Sequence, residues 1–238
     1  MKNKKASHVG MILSFVLFVT SILFLYEIIS PSITSAEDKS KLIAQIEQKI
    51  PDYFEETLYN QKISLKENCC DDLTCIKIEK NILVEGLNHL VKDSEENKIN
   101  SNSKGDYILI EKGETNYFNI FFSKEEFDLE ESNLEDCTLV EKEEYDGAFN
   151  SKKYYFESKI ESFIEKLKTQ NEYYKIKKEL SLPEGTDFSM VFVYNNGSRI
   201  GNPPNENLST NIYVEQKPIY YVDLNSRINP GFLEIGVW

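Results

Sequence analysis

Histidine is nearly absent from this sequence, which contains His8 and His89 and no other. His8 stands beside a basic N-terminus and His89 within a predicted strand, so a Ser-His-Asp or Cys-His set cannot be assembled from them. The motifs G-x-x-x-x-G-K-[ST], G-x-S-x-G and H-E-x-x-H, which mark phosphate loops, nucleophile elbows and zinc proteases, are also missing. We therefore predict no catalytic residue, no cofactor and a protein that is not an enzyme.

Basic residues are scarce as well. The chain has 27 Lys and Arg residues against 40 Asp and Glu, which gives a formal net charge of −13. Such a surface is a poor partner for nucleic acid and for anionic lipid headgroups. The acidic residues favour solubility, and binding of a divalent cation is the alternative interpretation. Because the acidic segment 124–136 lacks the ligand spacing and the turn glycine of a calcium loop, we predict no metal site.

An apolar run without charge occupies residues 9–26 and continues through two isoleucines to residue 29. A helix needs about 20 apolar residues to cross a bilayer, so we predict a transmembrane helix over 9–29. The hydroxyls of Ser14, Thr20 and Ser21 can bond to carbonyls one turn earlier and so survive in lipid. A basic leader, residues 1–8, precedes the run and acidic residues follow it, which predicts a single-pass membrane protein with a cytoplasmic N-terminus.

A cleavable signal peptide is the alternative, because residues 34–36 are small and could be cut by a signal peptidase. The apolar run is longer than the usual core of such a signal, about 7–15 residues, which favours a retained anchor. Pro31 predicts the end of the membrane helix, and residues 30–52 are interpreted as a linker followed by a short amphipathic helix. The apolar positions of that helix recur at helical spacing and are Leu42, Ile43, Ile46 and Ile50.

Residues 53–238 are predicted to form an extracytoplasmic α+β head with an antiparallel sheet. Patterns typical of strands occupy the ranges 54–65, 74–79, 82–91, 107–111, 117–122, 138–145, 188–194, 211–222 and 232–238. Residues 92–105 are predicted to be a solvated loop, and residues 112–114 a hairpin turn. Apolar residues from Phe156 onward repeat at helical spacing, which predicts one long amphipathic helix reaching Leu180. Pro218 lies inside a predicted strand and indicates an edge or a bulge.

The four cysteines all follow the apolar run, so export would expose them to oxidation. Because adjacent cysteines form a strained ring, we expect one member of the Cys69-Cys70 pair to bond to Cys75 and the other to reach Cys137. A thiolate metal site is the alternative, but the spacing lacks the two-residue knuckle of structural zinc. The sequence therefore predicts two disulfides.

The N-terminal sequence KKASHVGMILSFVLFV resembles the class III signal of archaeal type IV pilin-like proteins, in which a short basic leader precedes an apolar helix. In that family a dedicated peptidase cuts between the two, which here implies cleavage near Lys5, Ala6 or Ser7. No glycine precedes such a cut, and Gly10 or Met11 stands where the family has a glutamate. The resemblance implies an apolar helix that packs in a filament core with other pilin-like subunits, as a homo- or hetero-oligomer. The residues expected to pack are Gly10, Met11, Ser14, Phe15, Phe18, Ser21 and Ile22.

Two N-x-[ST] triplets begin at Asn196 and Asn207, both in predicted loops, and indicate a glycosylated outer surface. The leading hypothesis is a non-enzymatic, membrane-anchored surface protein that resembles a type IV pilin subunit or minor pilin. The alternatives are a solitary anchored binding or adhesion module that uses the aromatic C-terminal loops, a protein released after a signal peptide, and an exported enzyme of unknown type.

Overall fold

The computed structural model describes residues 4–67, 69–70, 72–129, 133–203 and 212–238, with the backbone alone at 4–9, 27–37 and 82. It is an α+β protein in which one long helix leads into two β-sheets and two further helices. The strands are β1 Glu55–Leu65, β2 Cys75–Glu79, β3 Asn88–Lys92, β4 Lys98–Ile99, β5 Ser101–Lys104, β6 Tyr107–Glu111, β7 Tyr117–Ser123, β8 Thr138–Leu139, β9 Tyr145–Phe156, β10 Phe188–Val193, β11 Arg199–Gly201, β12 Tyr213–Val222 and β13 Ile228–Val237. Short 3₁₀ turns occupy Ile82–Val84 and Lys142–Glu144.

The first helix, α1, spans Lys4–Phe54 without interruption. The prediction that it ends at Pro31 and gives way to a linker is therefore wrong. A proline removes only its own N–H from the hydrogen-bond ladder and crowds the carbonyl four residues earlier, so a helix can continue through it with a bend. The residues after Pro31 include many Ala, Lys, Glu, Gln and Leu, whose helix propensity favours continuation.

The C-terminal part of α1 packs on the head, as its apolar spacing predicts. Ile43 and Ile46 are fully buried, Ile50 is 2% exposed and Phe54 is fully buried. They join a hydrophobic cluster with the two later helices and with strands β10, β12 and β13. The short amphipathic helix of the sequence analysis is thus the last third of one long helix.

The large sheet has nine strands in the order β11-β10-β13-β12-β9-β1-β7-β3-β4. The interior strand β1 pairs along its whole length with β9 and over six residues with β7. All pairs of the sheet are antiparallel except that of β12 with β9, so the predicted antiparallel sheet is confirmed apart from this join. β12 pairs with β9 only from Tyr221 onward. Pro218 therefore lies in a part of β12 that, among the described residues, has a strand partner on the β13 side alone, which confirms the predicted edge position.

The small sheet has the order β5-β6-β2-β8 and packs against the large one. Isoleucines of β2 and β6 meet the inner faces of β1 and β7 in a second cluster. This packing explains why the hairpin predicted at residues 112–114 is wrong: β6 belongs to the small sheet and β7 to the large one. Separate sheets let the apolar faces of both strands be buried against each other.

The prediction of a loop over 92–105 is also wrong, because β4 and β5 lie there. Asp93 creates the turn before β4, since its Oδ1 accepts hydrogen bonds from the backbone N–H groups of Glu95 (2.8 Å) and Asn97 (2.9 Å). Both strands are the last of their sheets. Polar side chains are common on such edge strands because they are solvated.

Two helices replace the single long helix predicted after Phe156. They are α2, Glu157–Lys168, and α3, Gln170–Glu179, and Thr169 between them has an extended backbone (φ −95°, ψ 120°). A β-branched threonine has low helix propensity, which favours the break there. The break lets Ile176 on α3 reach the cluster that already contains the apolar face of α2.

Candidate functional site

The first candidate site is the apolar segment, which we define as residues 10–26 of α1. Its large side chains are exposed all round the helix: Met11 is 73% exposed, Phe15 67%, Phe24 65% and Tyr26 68%. An ordinary surface helix has one apolar stripe and one polar face, whereas this segment has no polar face. Among the side chains that the structure describes, no helix has both the length and the hydropathy needed to cross a membrane.

The seven predicted packing residues all lie on the apolar segment and divide into two groups by size. At about 100° per residue, Gly10, Ser14 and Ser21 fall within an arc of about 40°. The larger residues fall within a neighbouring arc of about 60°, and they are Met11, Phe15, Phe18 and Ile22. A Cβ added at Gly10 would meet no atom within 4 Å. The helix thus has one side that a second helix could approach closely and one side that is bulky.

Two of the polar side chains in the apolar segment satisfy themselves locally. The Oγ1 of Thr20 donates to the carbonyl oxygens of Val16 (2.9 Å) and Leu17 (3.0 Å), and the Oγ of Ser21 donates to Leu17 (2.8 Å). This confirms the hydrogen bonds predicted for those hydroxyls. The hydroxyls of Thr20 and Ser21 therefore do not require hydrogen bonds from water.

Polar contacts fix the other end of α1 to α3 and the turn after it. The Nε2 of Gln45 donates to the carbonyl of Leu180 (2.7 Å), and the Nζ of Lys49 donates to the carbonyl of Glu179 (2.6 Å). The hydroxyl of Tyr53 donates to Oε2 of Glu179 (2.8 Å). Burial, and then that hydrogen bond to the carboxylate, raise the pKa of the Tyr53 hydroxyl, so it stays a donor at neutral pH.

The cysteines form two disulfides, as predicted, but their pairing differs. Cys75 bonds to Cys137, 62 residues away, and Cys69 bonds to its neighbour Cys70. The expected pairing is wrong because β2 and β8 are parallel neighbours, which brings Cys137 beside Cys75 with Cα atoms 4.8 Å apart. The adjacent cysteines then have only each other, and Cys70 adopts a left-handed backbone (φ 67°).

One predicted glycosylation site can be located. Asn196 is exposed in the turn between β10 and β11, where its Oδ1 accepts a hydrogen bond from the N–H of Ser198 (2.9 Å). Asn196 is thus an exposed position at which a glycan, attached to Nδ2, would have room. Asn207 lies outside the described residues.

The remaining titratable side chains include one buried histidine. No group of three or more His, Cys, Asp or Glu side chains that could hold a metal ion occurs among the described residues. His89 lies in β3 as predicted; it is 7% exposed, and its Nε2 has no hydrogen-bond partner in the part of the chain that the structure describes. Burial lowers its pKa to about 4, so it is neutral at pH 7.

The second candidate site is a notch in the large sheet between β9 and β12. These strands pair only at Tyr221–Tyr155 and Val222–Phe156 and separate towards their N-terminal ends. The gap between them is a cavity of about 500 Å³. Its lining residues are Glu55, Lys152, Lys153, Tyr154, Tyr155, Lys217, Pro218, Ile219, Tyr220 and Ile228. Among the described residues, β12 therefore has no strand partner on its β9 side over residues 213–220, although it lies inside the sheet.

An exposed apolar surface adjoins the notch on the side of the sheet away from α1. We call it the C-terminal face. Cross-strand neighbours build it, with Tyr220 opposite Pro230 and Pro218 opposite Phe232. Tyr220 is 67% exposed, Phe232 43%, and Ile228 beside them 49%. Large exposed apolar patches of this kind mark interaction sites in soluble domains.

Lysines give the notch a positive charge in an acidic protein. Lys152 and Lys153 are exposed and form no salt bridge within the described part of the chain, although Lys152 lies 5.0 Å from the ring centroid of Tyr154. Lys217 is already paired, because its Nζ lies 3.1 Å from Oε2 of Glu47 on α1. Two cationic groups are thus available at the rim.

Sequence reasoning located the aromatic residues near the C-terminus but not the notch. One feature of the sequence did indicate an exposed apolar surface. Residues from Pro218 to Val222 of β12 are apolar at successive positions, which predicts a strand with two apolar faces. The inner face is covered by α1 and the helices after it, whereas on the outer face Val222 is buried in a separate cluster and Pro218 and Tyr220 stay exposed. The opening itself depends on the angle between β9 and β12, which no local pattern encodes.

Comparison of the chain with protein-family models, with curated proteins and with solved structures gave no match.

Proposed function

We propose that the protein is a non-enzymatic surface subunit, anchored in the membrane by its N-terminal helix and assembled through that helix with like subunits, in the manner of type IV pilins. The observation that carries the proposal is the apolar segment, whose large side chains project on every side into solvent. Burying one such side chain is worth about 1.5–3 kcal/mol. A segment with so many of them is stable only when lipid or other helices cover it.

The length of the apolar run supports a membrane anchor. The sequence extends it beyond the described side chains, to Val9 on one side and to Ile28 and Ile29 on the other. A helix of that length can cross a bilayer. The lysines before it and the acidic residues after it favour a cytoplasmic N-terminus.

The disulfides support export of the head. All four cysteines are paired, and such bonds persist in oxidising surroundings outside the cytoplasm. Export would also place the exposed Asn196 where glycosylation occurs.

The unbroken helix favours a retained anchor over a released protein. The backbone of residues 34–36, the sequence that a signal peptidase could cut, is helical and lies between the apolar segment and the docked end of α1. A helical backbone does not enter a protease site without unwinding, and residues 34–36 lie far from both ends of α1, whereas Lys5 is its second residue and needs only the first turn to open.

The division of the apolar segment into small and bulky arcs supports assembly. Helices surrounded by lipid are held together by close van der Waals contact, which small residues permit. Gly10, Ser14 and Ser21 supply such a strip, and a solitary anchor would have no use for it.

The first test is the N-terminus of the protein recovered from membranes of a host that has a class III signal peptidase. We expect a start near residue 6 or 7. A start at Met1 indicates a plain anchor and a start at Glu37 a released protein, and either result contradicts the pilin-like proposal.

The second test separates assembly from anchoring. Ser14→Leu and Ser21→Leu should leave the protein in the membrane but reduce its amount in surface material removed by shearing. Val16→Leu, which introduces a leucine at a position outside the seven expected packing residues, should affect both fractions little. If the wild-type protein never enters the sheared fraction, assembly is refuted and a solitary anchored binding module is the better assignment.

A further inference from the structure

We propose that the notch and the C-terminal face together bind an extended acidic segment of a partner protein, which adds to the large sheet as a strand along β12. This site lies on the head and does not depend on how the apolar segment is used. Three properties of the described residues define the occupant: an open strand edge, an apolar platform beside it and unpaired lysines at its rim.

The open edge selects an extended backbone. Residues 213–220 of β12 pair with β13 on one side only, because contact with β9 begins at Tyr221. Unpaired N–H and C=O groups along a strand form a template for another strand. Strand addition of this kind is a common mode of peptide recognition, in which the main chain supplies affinity. Eight strand residues span about 26 Å, which sets the length of the segment.

The shape of the notch sets the direction of entry. The gap is closed where Tyr221 pairs with Tyr155 and widens towards Tyr213. The inner face of the gap is filled by Ile219 and Tyr155, which belong to the cluster around α1. An added strand can therefore reach β12 only from the open end and from the outer side.

The C-terminal face selects apolar side chains at alternate positions. Successive side chains of a strand point to opposite faces, so every second residue of an added strand would lie over Tyr220 and Pro218. These residues and Phe232 form a platform of exposed rings. Aromatic residues at the centre of an apolar patch are typical binding hot spots.

The rim lysines select acidic side chains. Lys152 and Lys153 follow one another on β9, so their side chains point to opposite faces of the sheet at the edge of the gap. Neither has an anionic partner within the described residues, in a chain whose net charge is −13. A charge-assisted hydrogen bond from lysine to a carboxylate is stronger than a neutral one, which favours Glu or Asp in the incoming segment.

The experiment measures peptide binding to the full chain in detergent micelles by fluorescence anisotropy. The probes are labelled octapeptides: alternating Glu and Val, alternating Lys and Val, and the Glu-Val peptide with every backbone nitrogen methylated. We expect the first to bind and the other two to bind at least tenfold more weakly. The affinity of the first should fall as salt is raised, because the lysines act through charge.

Variants locate the site. Lys152→Glu/Lys153→Glu and, separately, Tyr220→Ala should each weaken the Glu-Val peptide at least fivefold. The matched control is Lys168→Glu/Lys175→Glu, which makes the same change of charge on α2 and α3, where both lysines are exposed. This control should leave the affinity within twofold of the wild type.

Three outcomes overturn the proposal. Equal binding of the Lys-Val peptide excludes recognition of acidic side chains, and equal binding of the methylated peptide excludes strand addition. The third is self-association of the full chain, seen by sedimentation, that is abolished by Lys152→Glu/Lys153→Glu but not by the control. That result would assign the site to a second copy of the chain.

Discussion

The two ends of α1 belong to one continuous helix but have different surroundings. Residues 10–26 expose apolar side chains in all directions, whereas the end near Ile46 is amphipathic and buries one stripe against the head. Around Ile46, polar side chains such as Gln45 and Lys49 bond to the head across the edges of the stripe. One helix thus contains a part that the chain itself covers and a part that something else must cover.

This difference shows that helicity and environment are encoded separately. Both ends have the helix propensity and the hydrogen bonds of an α-helix, but only the distribution of apolar residues around the axis decides what each end contacts. The following predictions test the difference, beginning with the largest effect.

The largest effect is expected from charges in the apolar segment. Phe18→Asp/Ile22→Asp should move the protein from the membrane fraction to the soluble fraction. Each acidic residue near the centre of a membrane helix raises the free energy of inserting that helix into the bilayer by about 3 kcal/mol. Fractionation with alkaline washing measures this. The control Ala44→Asp/Gln48→Asp introduces two aspartates with the same spacing of four residues, on the exposed side of the part of α1 that packs on the head. It should leave the distribution unchanged, and equal release by both pairs would contradict the division of the helix.

A smaller loss is expected inside the head, where the two disulfides differ. Removing the long-range bond with Cys75→Ala/Cys137→Ala should lower the free energy of unfolding by about 4 kcal/mol, because it releases a loop of 62 residues. Cys69→Ala/Cys70→Ala frees no such loop and should cost under about 1 kcal/mol. Urea unfolding in detergent compares them. Similar losses for both pairs would show that loop closure is not the source of the stabilisation.

Truncation of the docked stripe should cost about 3 kcal/mol. Ile46 is fully buried, and Ile→Ala changes at such sites cost about 2–5 kcal/mol. Ile22→Ala makes the same chemical change at a side chain that is 48% exposed and outside the head. Thermal unfolding of the head, followed by near-ultraviolet circular dichroism, should shift for the first variant only. A comparable shift for Ile22→Ala would mean that the apolar segment also supports the head.

The smallest effect is a pH dependence that arises far from α1. Because burial holds the pKa of His89 at about 4, below its ordinary 6.5, the unfolded chain binds a proton that the folded chain does not. Stability should therefore fall as the pH drops from 6.5 towards 4, by about 2 kcal/mol at pH 5.

His89→Gln should remove this part of the pH dependence, measured by urea unfolding at pH 7 and pH 5. The difference in stability between pH 7 and pH 5 should persist in Ile46→Ala. His89 is in β3, near the end of the large sheet that is away from the strands on which α1 packs. Loss of the pH dependence in Ile46→Ala would show that the two parts of the head are coupled.

Most elements of the fold could be predicted where the sequence is periodic. The strands at 54–65, 117–122 and 188–194 and the apolar face of α2 have strong local patterns, and the structure contains them. The patterns could not show that α1 continues through Pro31, since neighbouring residues outweigh one proline. They also could not show that β6 and β7 separate into two sheets, because this depends on contacts between distant residues.

The candidate sites divide in the same way. The apolar segment can be identified from its composition alone, while the notch depends on where β12 meets β9, two strands that are far apart in sequence. The disulfide pairing depends likewise on the parallel contact of β2 with β8. The sequence analysis excluded a bond between Cys69 and Cys70 because such a ring is strained. This was wrong because Cys137 bonds to Cys75, which leaves Cys69 and Cys70 only each other as partners.

The direct passage from α1 into β1 has a mechanical consequence. Phe54 ends the helix and Glu55 begins the strand, with no loop between them, and β1 is the strand that β9 and β7 enclose. Tension applied to the helix would enter the head at the end of this interior strand. On its β9 side, β1 is held by a ladder of eleven residue pairs, which runs from Glu55–Tyr155 to Leu65–Tyr145. The tension would shear all of these pairs together and would not open them one at a time. A head pulled through α1 would resist through an interior strand of its sheet, and the rate of forced unfolding would measure that resistance.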